Sequence, residues 1–382
     1  MSIEVSRQQA RQFLADYHLS PTTIKGVFER LGCVQYDPLN PVGRNVDLVL
    51  QARVPGYQVN DWHPLAYADR LIYDAWDKQA CLVPSSDWPN RAIIRARYHP
   101  YHDREILQAE PEAATAILAA IDRQGPLSSL EIEDRTRMAD QNSWYGSTQS
   151  KRIMRALWAN GLLITHHRVA GRHYYDRPER IIPPEYFMRP DLLDEDAYLR
   201  WIMKRRLQSM GLLRLTAEAA IWSACGDAKQ RTRAMMELVE SGEVTPVLLG
   251  EKRWPYYLLT SLLPKLERPA PPDKVTFLGP LDSLLWDRKT IKQLFDFDYT
   301  WEVYKPVHLR KWGYYVLPVF YKDRFIARFD SRLIEHTWQI AHWWWEPGIE
   351  RSSELLAVVE TAREQFIHYL KARQLVITEE TA

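Results

Sequence analysis

The most constraining feature of the 382-residue sequence is an ordered series of helical and strand-like patterns in residues 113–176. The stretch AATAILAAIDRQGPLSSLEIEDR predicts a helix, a break at Gly-Pro and a second short helix that begins at Ser128 or Ser129. A third helix is predicted over residues 148–160. The run LLITHHRV, a turn at Ala-Gly-Arg and the run HYYD then predict a β-hairpin.

Three helices followed by a hairpin are the order of elements in a winged helix, in which the third helix enters a DNA groove. Between residues 145 and 182 there are seven basic and two acidic residues, and a local surplus of five positive charges suits phosphates. A solvated face without a partner is the alternative interpretation. We predict DNA contacts from the third helix and the hairpin, namely from Lys151, Arg152, Arg155, Arg172 and His173.

The same pattern recurs along the chain. A helix at 194–211, a second helix capped by Thr216, a third helix at 228–240 and a hairpin from EVTPVLLG and WPYYLLT predict another unit. The N-terminus is a looser copy, with helices at 6–16 and 22–31 followed by RNVDLVLQARV. After the proline-rich linker ERPAPPDK, strand-like runs are predicted at 275–278, 299–304, 313–320, 324–329 and 338–345, with helices at 287–295 and 352–371.

The predicted fold class is therefore α+β, with tandem winged-helix units and a β-rich, barrel-like C-terminal module. The predicted domains are residues 1–110, 111–188, 189–268 and 272–382. The first three are the winged-helix units, and the last is the β-rich module with its closing helix.

The composition and the motifs that are absent argue against several classes of function. A formal net charge of +1 argues against a wholly basic nucleic-acid-binding protein. The three cysteines are widely spaced, which supports neither a disulfide framework nor a zinc site. There is no apolar signal core and no run of about 18 apolar residues, so we expect a cytoplasmic protein that does not enter membranes. Motifs for nucleotide cofactors, serine hydrolysis and helical zinc proteolysis are absent.

The stretch LGCVQYDP holds the candidate catalytic residues. An apolar stripe over residues 24–31 predicts a helix that ends at Gly32. If the chain is extended beyond it, Gln35 and Asp37 share one face. A carboxylate and an amide side by side can orient one water molecule. The alternative is that Asp37 opens a turn before Pro38 while Gln35 faces solvent.

Several motifs together give a resemblance that covers nearly the whole chain. These are QYD after a helix end, AW-x3-AC-x2-P at residues 75–84, LGPLDSLLWDRKTIKQLFDFDYTWEVYKP and GYYVLPVFYKDRFIARFD. With the tandem winged helices, they resemble the winged-helix DNA glycosylases of the AlkZ and YcaQ (AlkX) type. The Gln-x-Asp form of the motif resembles the YcaQ branch.

The resemblance implies a DNA repair enzyme that hydrolyses the N-glycosidic bond of alkylated purines in duplex DNA. Unhooking of nitrogen-mustard-type crosslinks is implied for the YcaQ branch. The resemblance implies no metal, no cofactor and no obligate protein partner. A non-catalytic winged-helix DNA-binding protein or transcriptional regulator is the alternative.

The resemblance also implies residue roles. Asp37 would stabilise an oxocarbenium-like sugar and accept a proton from water, and Gln35 would orient that water. Tyr36, Arg44 and Asn45 are expected to contact DNA, the last two at a phosphate beside the lesion. Trp76, Lys78 and Gln79 are the candidate supporting residues. YcaQ-like members carry His-Glu-Ala after a tryptophan, whereas this chain has Trp76-Asp77-Lys78-Gln79-Ala80, a departure that bears on the substrate range and the rate.

Overall fold

A computed structural model describes residues 2–97, 103–132, 137–138 and 147–381. The chain divides into two compact units: the first unit is Met1–Trp62 with Ile202–Ala382, and the second unit is His63–Trp201. These units differ from the four predicted domains. Residues 63–110 group with the segment that follows them, and the N-terminal residues group with the C-terminal half of the chain.

The helices and strands alternate along the whole chain. In order they are β1 (Ile3–Val5), α1 (Arg7–Leu19), α2 (Ile24–Leu31), β2 (Val34–Gln35), α3 (Asn45–Gln51), α4 (His63–Tyr67), β3 (Ile72–Trp76), β4 (Ala80–Pro84), α5 (Ala92–Arg97), α6 (Asp103–Ala109), α7 (Pro111–Gln124), β5 (Arg137–Met138), β6 (Ser147–Thr148), α8 (Gln149–Ala159), β7 (Ile164–Val169), β8 (Arg172–Asp176), α9 (Pro178–Ile181), α10 (Pro184–Phe187) and α11 (Glu195–Met210). They continue with α12 (Ala228–Glu240), β9 (Val244–Leu249), β10 (Trp254–Leu259), α13 (Leu263–Glu267), β11 (Val275–Phe277), α14 (Arg288–Phe295), β12 (Val316–Tyr321), β13 (Arg324–Ile334), β14 (Thr337–Trp345), α15 (Ser353–Leu370) and β15 (Gln374–Thr381).

The second unit contains the predicted third helix and hairpin. Helix α8 covers nearly the expected range, and β7 pairs antiparallel with β8. Ala170 and Gly171 at the hairpin turn both have positive φ angles, as a tight two-residue turn requires. Ile121, Ile153 and Leu157 are buried in one apolar cluster between α7 and α8. The predicted short helix at Ser128 begins as a hydrogen-bonded turn, and its continuation lies outside the described residues.

The first unit contains a three-stranded sheet in the order β1-β9-β10, with β1 parallel to β9. Helix α12 begins with a reciprocal capping box at Asp227 and Gln230, and its predicted bounds are confirmed. The helix predicted after Thr216 is wrong, because only one 3₁₀ turn forms at Ala219–Trp222. The indole of Trp222 donates to the Ala217 carbonyl at 3.3 Å, which closes this segment locally.

A five-stranded sheet with the order β11-β12-β13-β14-β15 forms the C-terminal part of the first unit. It is open among the described residues, with β11 and β15 at its edges, so the barrel-like expectation is corrected. The strand predicted at 299–304 is absent, and β15 was not predicted. Helix α15 provides the crossover that lets β15 run parallel to β14.

Aromatic side chains fill the interior of this sheet. Trp338 and Trp343 are fully buried, and Phe277 contacts both of them as well as Phe329. The Trp-Trp-Trp run therefore contributes mainly to packing, as the sequence indicates. No helix among the described residues has both the length and the hydropathy needed to cross a bilayer.

Candidate active site

The Gln35–Asp37 segment, here called the QYD segment, is positioned by the end of helix α2. Thr23 caps the start of this helix by accepting a hydrogen bond from the Gly26 main-chain N–H. At the other end, Gly32 has a φ of +72° and its N–H donates to Phe28. The predicted helix end is confirmed, and the chain turns there into strand β2.

Gln35 lies at the end of β2 and is only 7% exposed, so it does not face solvent as the alternative interpretation requires. Its carbonyl accepts a hydrogen bond from the Asn45 side chain at 2.7 Å. The Asn45 oxygen accepts in turn from the Leu281 main-chain N–H at 3.2 Å. The Asn45 amide thus joins the QYD segment to the loop that follows β11.

Asn45 itself is fully buried, and the main chain occupies both ends of its amide. This geometry is not that of a phosphate contact, which needs a donor that reaches the surface. The position instead requires an amide that donates at one end and accepts at the other. Asn45 therefore positions the QYD segment from behind.

Asp37 is half-buried and lies directly after the strand. One carboxylate oxygen accepts from the Leu39 main-chain N–H at 2.9 Å, which forms a turn across Pro38. The second oxygen accepts no hydrogen bond from any residue that the structure describes. Burial raises the pKa of Asp37, and the Leu39 hydrogen bond opposes that rise. The turn of the alternative interpretation is therefore present, and it uses only one of the two Asp37 oxygens.

Aromatic rings surround the QYD segment. The half-buried Tyr36 ring meets the edge of the buried Trp62 ring, with 6.3 Å between ring centres. Tyr315 is buried close to Asp37: burial raises the pKa of Tyr315, and the negative charge of Asp37 raises it further. Its phenol therefore stays neutral. Sequence reasoning missed Tyr315, although it belongs to the GYYVLP motif.

A second acid, Asp47, lies on helix α3 behind this segment. It accepts hydrogen bonds at 2.8 Å from the Tyr57 hydroxyl and from the Asn60 main-chain N–H. Its other oxygen is buried and has no hydrogen-bond partner among the described residues. Burial raises the pKa of Asp47, and the nearby Arg44 charge partly opposes the rise. Sequence reasoning missed this acid, whose only signal was its place in an otherwise apolar stretch.

Arg44 is half-buried at the start of α3, where its guanidinium donates to the Asn60 side chain at 3.5 Å. The preceding Gly43 has a φ of +103°, and a β-carbon there would lie 1.9 Å from the Tyr369 hydroxyl. Only glycine fits this position. The backbone before Arg44 is consequently fixed, and a DNA contact by its guanidinium stays a prediction.

In the second unit, the basic residues of α8 and its hairpin differ in exposure and in ion pairing. Lys151 and Arg172 are exposed, and Arg152 is half-buried. Arg155 donates to the buried Asp103 carboxylate at 3.2 Å, although 40% of its side chain remains exposed. DNA binding by Lys151, Arg152 and Arg172 stays a prediction, and Arg155 has in addition a structural ion pair.

His173 belongs to a polar network inside the second unit. Arg168 donates to its Nε2, so Nδ1 carries the proton and donates to the Thr165 hydroxyl at 2.9 Å. Thr165 and Arg168 both donate to the buried Asp74 carboxylate. Burial, followed by the Arg168 charge, lowers the pKa of His173 to about 4. The ring is therefore neutral at pH 7, and its hydrogen bonds stabilise the hairpin. A neutral ring whose nitrogens are both hydrogen-bonded has little capacity to contact DNA.

The β3–β4 hairpin carries the three predicted supporting residues of the same unit. Trp76 and Lys78 are half-buried and Gln79 is exposed at the turn. The acid of this turn is Asp77, which forms a buried ion pair with Arg91 at 2.6 Å. Burial lowers the pKa of Arg91, but Asp77, Tyr73 and Asp87 together raise it by more, so Arg91 keeps its charge. The roles of Trp76, Lys78 and Gln79 stay predictions.

Two comparisons with known proteins agree with this architecture. The family model described as "DNA glycosylase AlkZ-like" matches residues 28–368. The structure of Streptomyces sahachiroi DNA glycosylase AlkZ is similar to this chain with a TM-score of 0.67 and 15% sequence identity. The match covers 99% of this chain and 100% of the other. At this identity the structural match concerns the fold.

Proposed function

This chain belongs to the AlkZ-like DNA glycosylase family, and we propose that it excises N7-alkylated purines from duplex DNA at Gln35 and Asp37. The enzyme class, a DNA repair glycosylase that acts on DNA, follows from the family. Beyond the family, we propose which lesion is excised, which residues catalyse the excision and which branch of the family the chain resembles. The Gln-x-Asp motif favours the YcaQ branch, and with it the unhooking of mustard-type crosslinks.

The observation that carries the proposal is the half-satisfied carboxylate of Asp37. One oxygen is held by the Leu39 N–H, and the other has no hydrogen bond from the described residues. A turn residue without further function would normally lie in solvent, where its carboxylate is hydrated. Here the carboxylate is half-buried beside the buried Gln35 and Tyr315. This arrangement is typical of a group kept for chemistry.

Catalysis of this reaction has to stabilise the sugar as the bond breaks and to activate the attacking water. An N7-alkylated guanine is already cationic, so it leaves without protonation by a dedicated general acid. As the C1′–N9 bond breaks, the deoxyribose becomes oxocarbenium-like, and the Asp37 carboxylate stabilises that charge. Water attacks C1′, and its proton passes to Asp37. Gln35 orients the water through its amide without transferring a proton.

Substrate binding is proposed for the tandem winged-helix parts of the fold. Helix α8 with the β7–β8 hairpin, and helix α12 with the β9–β10 hairpin, follow the winged-helix order. Lys151, Arg152 and Arg172 are proposed as phosphate contacts, and Tyr36 and Arg44 as contacts near the lesion. Trp76, Lys78 and Gln79 are proposed to support the site and set its lesion range.

An excision assay tests the proposal directly. Duplexes that contain N7-methylguanine or a nitrogen-mustard crosslink are incubated with the protein, and abasic sites and separated strands are measured. Asp37→Asn is expected to reduce the rate on the order of a hundredfold or more. Asp273→Asn, at an exposed carboxylate of the same unit, is the matched control and should leave the rate unchanged.

Two results would contradict the proposal. If wild type binds the lesion duplex but releases no base, the non-catalytic alternative is favoured. If Asp37→Asn and Asp273→Asn excise equally well, the chemistry lies at another residue.

A further inference from the structure

A loop in the first unit, residues 304–314 with the sequence YKPVHLRKWGY, combines exposed apolar side chains with positive charge. Tyr304 is 82% exposed, Val307 76%, Leu309 60% and Tyr314 40%. Single exposed apolar residues are ordinary on protein surfaces. Four large ones within 11 residues concentrate exposed apolar surface in this loop, a feature that marks binding surfaces.

The charges of this 304–314 loop all have one sign. It contains Lys305, Arg310 and Lys311, together with His308 and no acidic residue. The Arg310 guanidinium lies 5.0 Å from the centre of the Tyr314 ring. The Lys311 ammonium lies 4.6 Å from the ring of the neighbouring tryptophan. Cations are thus held against aromatic faces, a combination that suits phosphates and bases together.

The conformation of the loop is fixed from beneath by a buried acid. Glu302 accepts hydrogen bonds from the main-chain N–H groups of Trp312 at 2.8 Å and Gly313 at 3.4 Å. Lys305 donates to its other oxygen at 2.8 Å. Burial would raise the pKa of Glu302, but these hydrogen bonds lower it to about 2. Glu302 is therefore ionised, and it stabilises the base of the loop.

A second acid fixes the end of the loop. The Asp330 carboxylate accepts from the main-chain N–H groups of Tyr314 and Tyr315, both at 3.0 Å. Gly313 has a φ of +149°, and a β-carbon there would lie 2.2 Å from an Asp330 oxygen. The loop is therefore held by main-chain hydrogen bonds and by Trp312, which packs against the core, while Val307 and Leu309 remain exposed at its surface.

Aromatic contacts connect this loop to the candidate active site. The Tyr304 ring meets the edge of the Trp301 ring at 5.6 Å, and Trp301 meets Tyr315 in the same way at 6.3 Å. Tyr315 lies close enough to Asp37 for the carboxylate to raise its pKa. The loop and Asp37 are therefore linked through packed residues of the first unit.

We propose that the 304–314 loop is a DNA-binding surface, with its exposed apolar side chains against sugars and bases and its cations against phosphates. The inference rests on the proposed function, because that function brings duplex DNA to Asp37. Lys305 is paired with Glu302, which leaves Arg310 and the exposed Lys311 as the cations of a loop that contains no acid, and this charge favours a polyanion over a second protein surface. Proteins that deform the duplex beside a target base use apolar wedges with flanking cations in this way.

Fluorescence anisotropy with an undamaged labelled duplex tests the loop without requiring excision. The double variant V307S/L309S is expected to weaken binding about tenfold by removing apolar contacts to the DNA. Lys311→Glu should also weaken binding and lower the salt dependence by about one ion. The controls change exposed positions outside the loop: L356S/V376S for the apolar contacts and Lys289→Glu for the charge.

The affected side chains are exposed, so the thermal unfolding of the variants should match that of wild type. Unchanged DNA affinity in V307S/L309S and Lys311→Glu overturns the proposal, as does an equal loss in the control variants. A change in oligomeric state with unchanged affinity also overturns it and assigns the surface to a second copy. If wild type excises no lesion but the loop variants still lose affinity, the loop proposal stands and the proposed reaction fails.

Discussion

The QYD segment in the first unit and the basic residues around α8 in the second unit differ in whether their charged groups are paired within the protein. Asp37 keeps one oxygen without a hydrogen bond from the described residues, and burial raises its pKa. Around α8, several arginines are paired with carboxylates of the same unit: Arg155 with Asp103, Arg168 with Asp74, and Arg180 with Asp176. A carboxylate without an ion-pair partner among the described residues suits a reaction, whereas pairing with an arginine of the same unit indicates a contribution to the fold.

The comparison also corrects how a local charge surplus is interpreted. The seven basic residues of the 145–182 segment outnumber its acids, but Asp74 and Asp103 come from outside the segment. Counting charges along the chain therefore overestimates the positive charge that DNA can meet. Lys151, Arg172 and Arg180 are the exposed members, and Arg180 is paired with Asp176.

The largest expected effect concerns Gln35. Gln35→Ala removes the amide that we propose orients the water but leaves the carbonyl that Asn45 holds. The single-turnover excision rate should fall on the order of a hundredfold, with DNA affinity changed little. Gln51→Ala, a half-buried glutamine on α3, is the control. Equal rates for the two variants would remove Gln35 from the mechanism.

Asp74→Ala tests the opposite case, a charge that serves the fold. It leaves Arg168 buried without its carboxylate partner, and the free energy of unfolding should fall by about 3 kcal/mol in denaturant titration. Glu179→Ala, at an exposed pair with Arg177, should change it by less than about 1 kcal/mol. Equal small effects would mean that the buried network does not support the hairpin.

Charge reversal at the exposed positions should affect binding rather than stability. The double variant K151E/R172E is expected to weaken duplex affinity about tenfold at moderate salt and to lower the salt dependence by about two ions. Its unfolding transition should stay that of wild type, because neither side chain is buried. Unchanged affinity would exclude α8 and its hairpin as contacts.

The pH dependence of excision follows from the raised pKa of Asp37. The proposed reaction uses the ionised carboxylate, so the single-turnover rate should fall as pH decreases, with a midpoint above the ordinary value of 3.8. His173, with a pKa of about 4, does not titrate between pH 5 and 8. A rate that stays constant down to pH 4 would contradict the role of Asp37.

The smallest expected effect is on stability at Asp37 itself. Because its folded-state pKa is raised, ionisation opposes folding, and this cost appears as pH rises through the unfolded and then the folded pKa. Asp37→Asn should therefore raise the melting temperature slightly at pH 7 while it slows excision. At pH 3, where both states are protonated, the difference should disappear. A lower melting temperature at pH 7 would show that the carboxylate serves the fold.

Local patterns predicted the elements that depend on neighbouring residues. The ends of α2 and α12 followed from Thr23, Gly32 and Asp227, and the β7–β8 hairpin followed from its alternating strands and Ala-Gly turn. The strand expected at 299–304 failed because Glu302 is committed to the 304–314 loop through hydrogen bonds to distant main-chain groups. Strand β15 depends on its pairing with β14, which its own composition does not reveal.

The sequence by itself determined the QYD motif, the helix end before it and the family resemblance, because each depends on residues close together in the chain. Only the tertiary structure decided which polar groups are accessible to a substrate and which are buried or paired within the protein. It buried Asn45 and placed Tyr315 near Asp37, and it paired Arg155 and Arg168 with acids far away in the sequence. Burial and charge pairing depend on the distances between atoms in space, and these arise only when distant segments pack together.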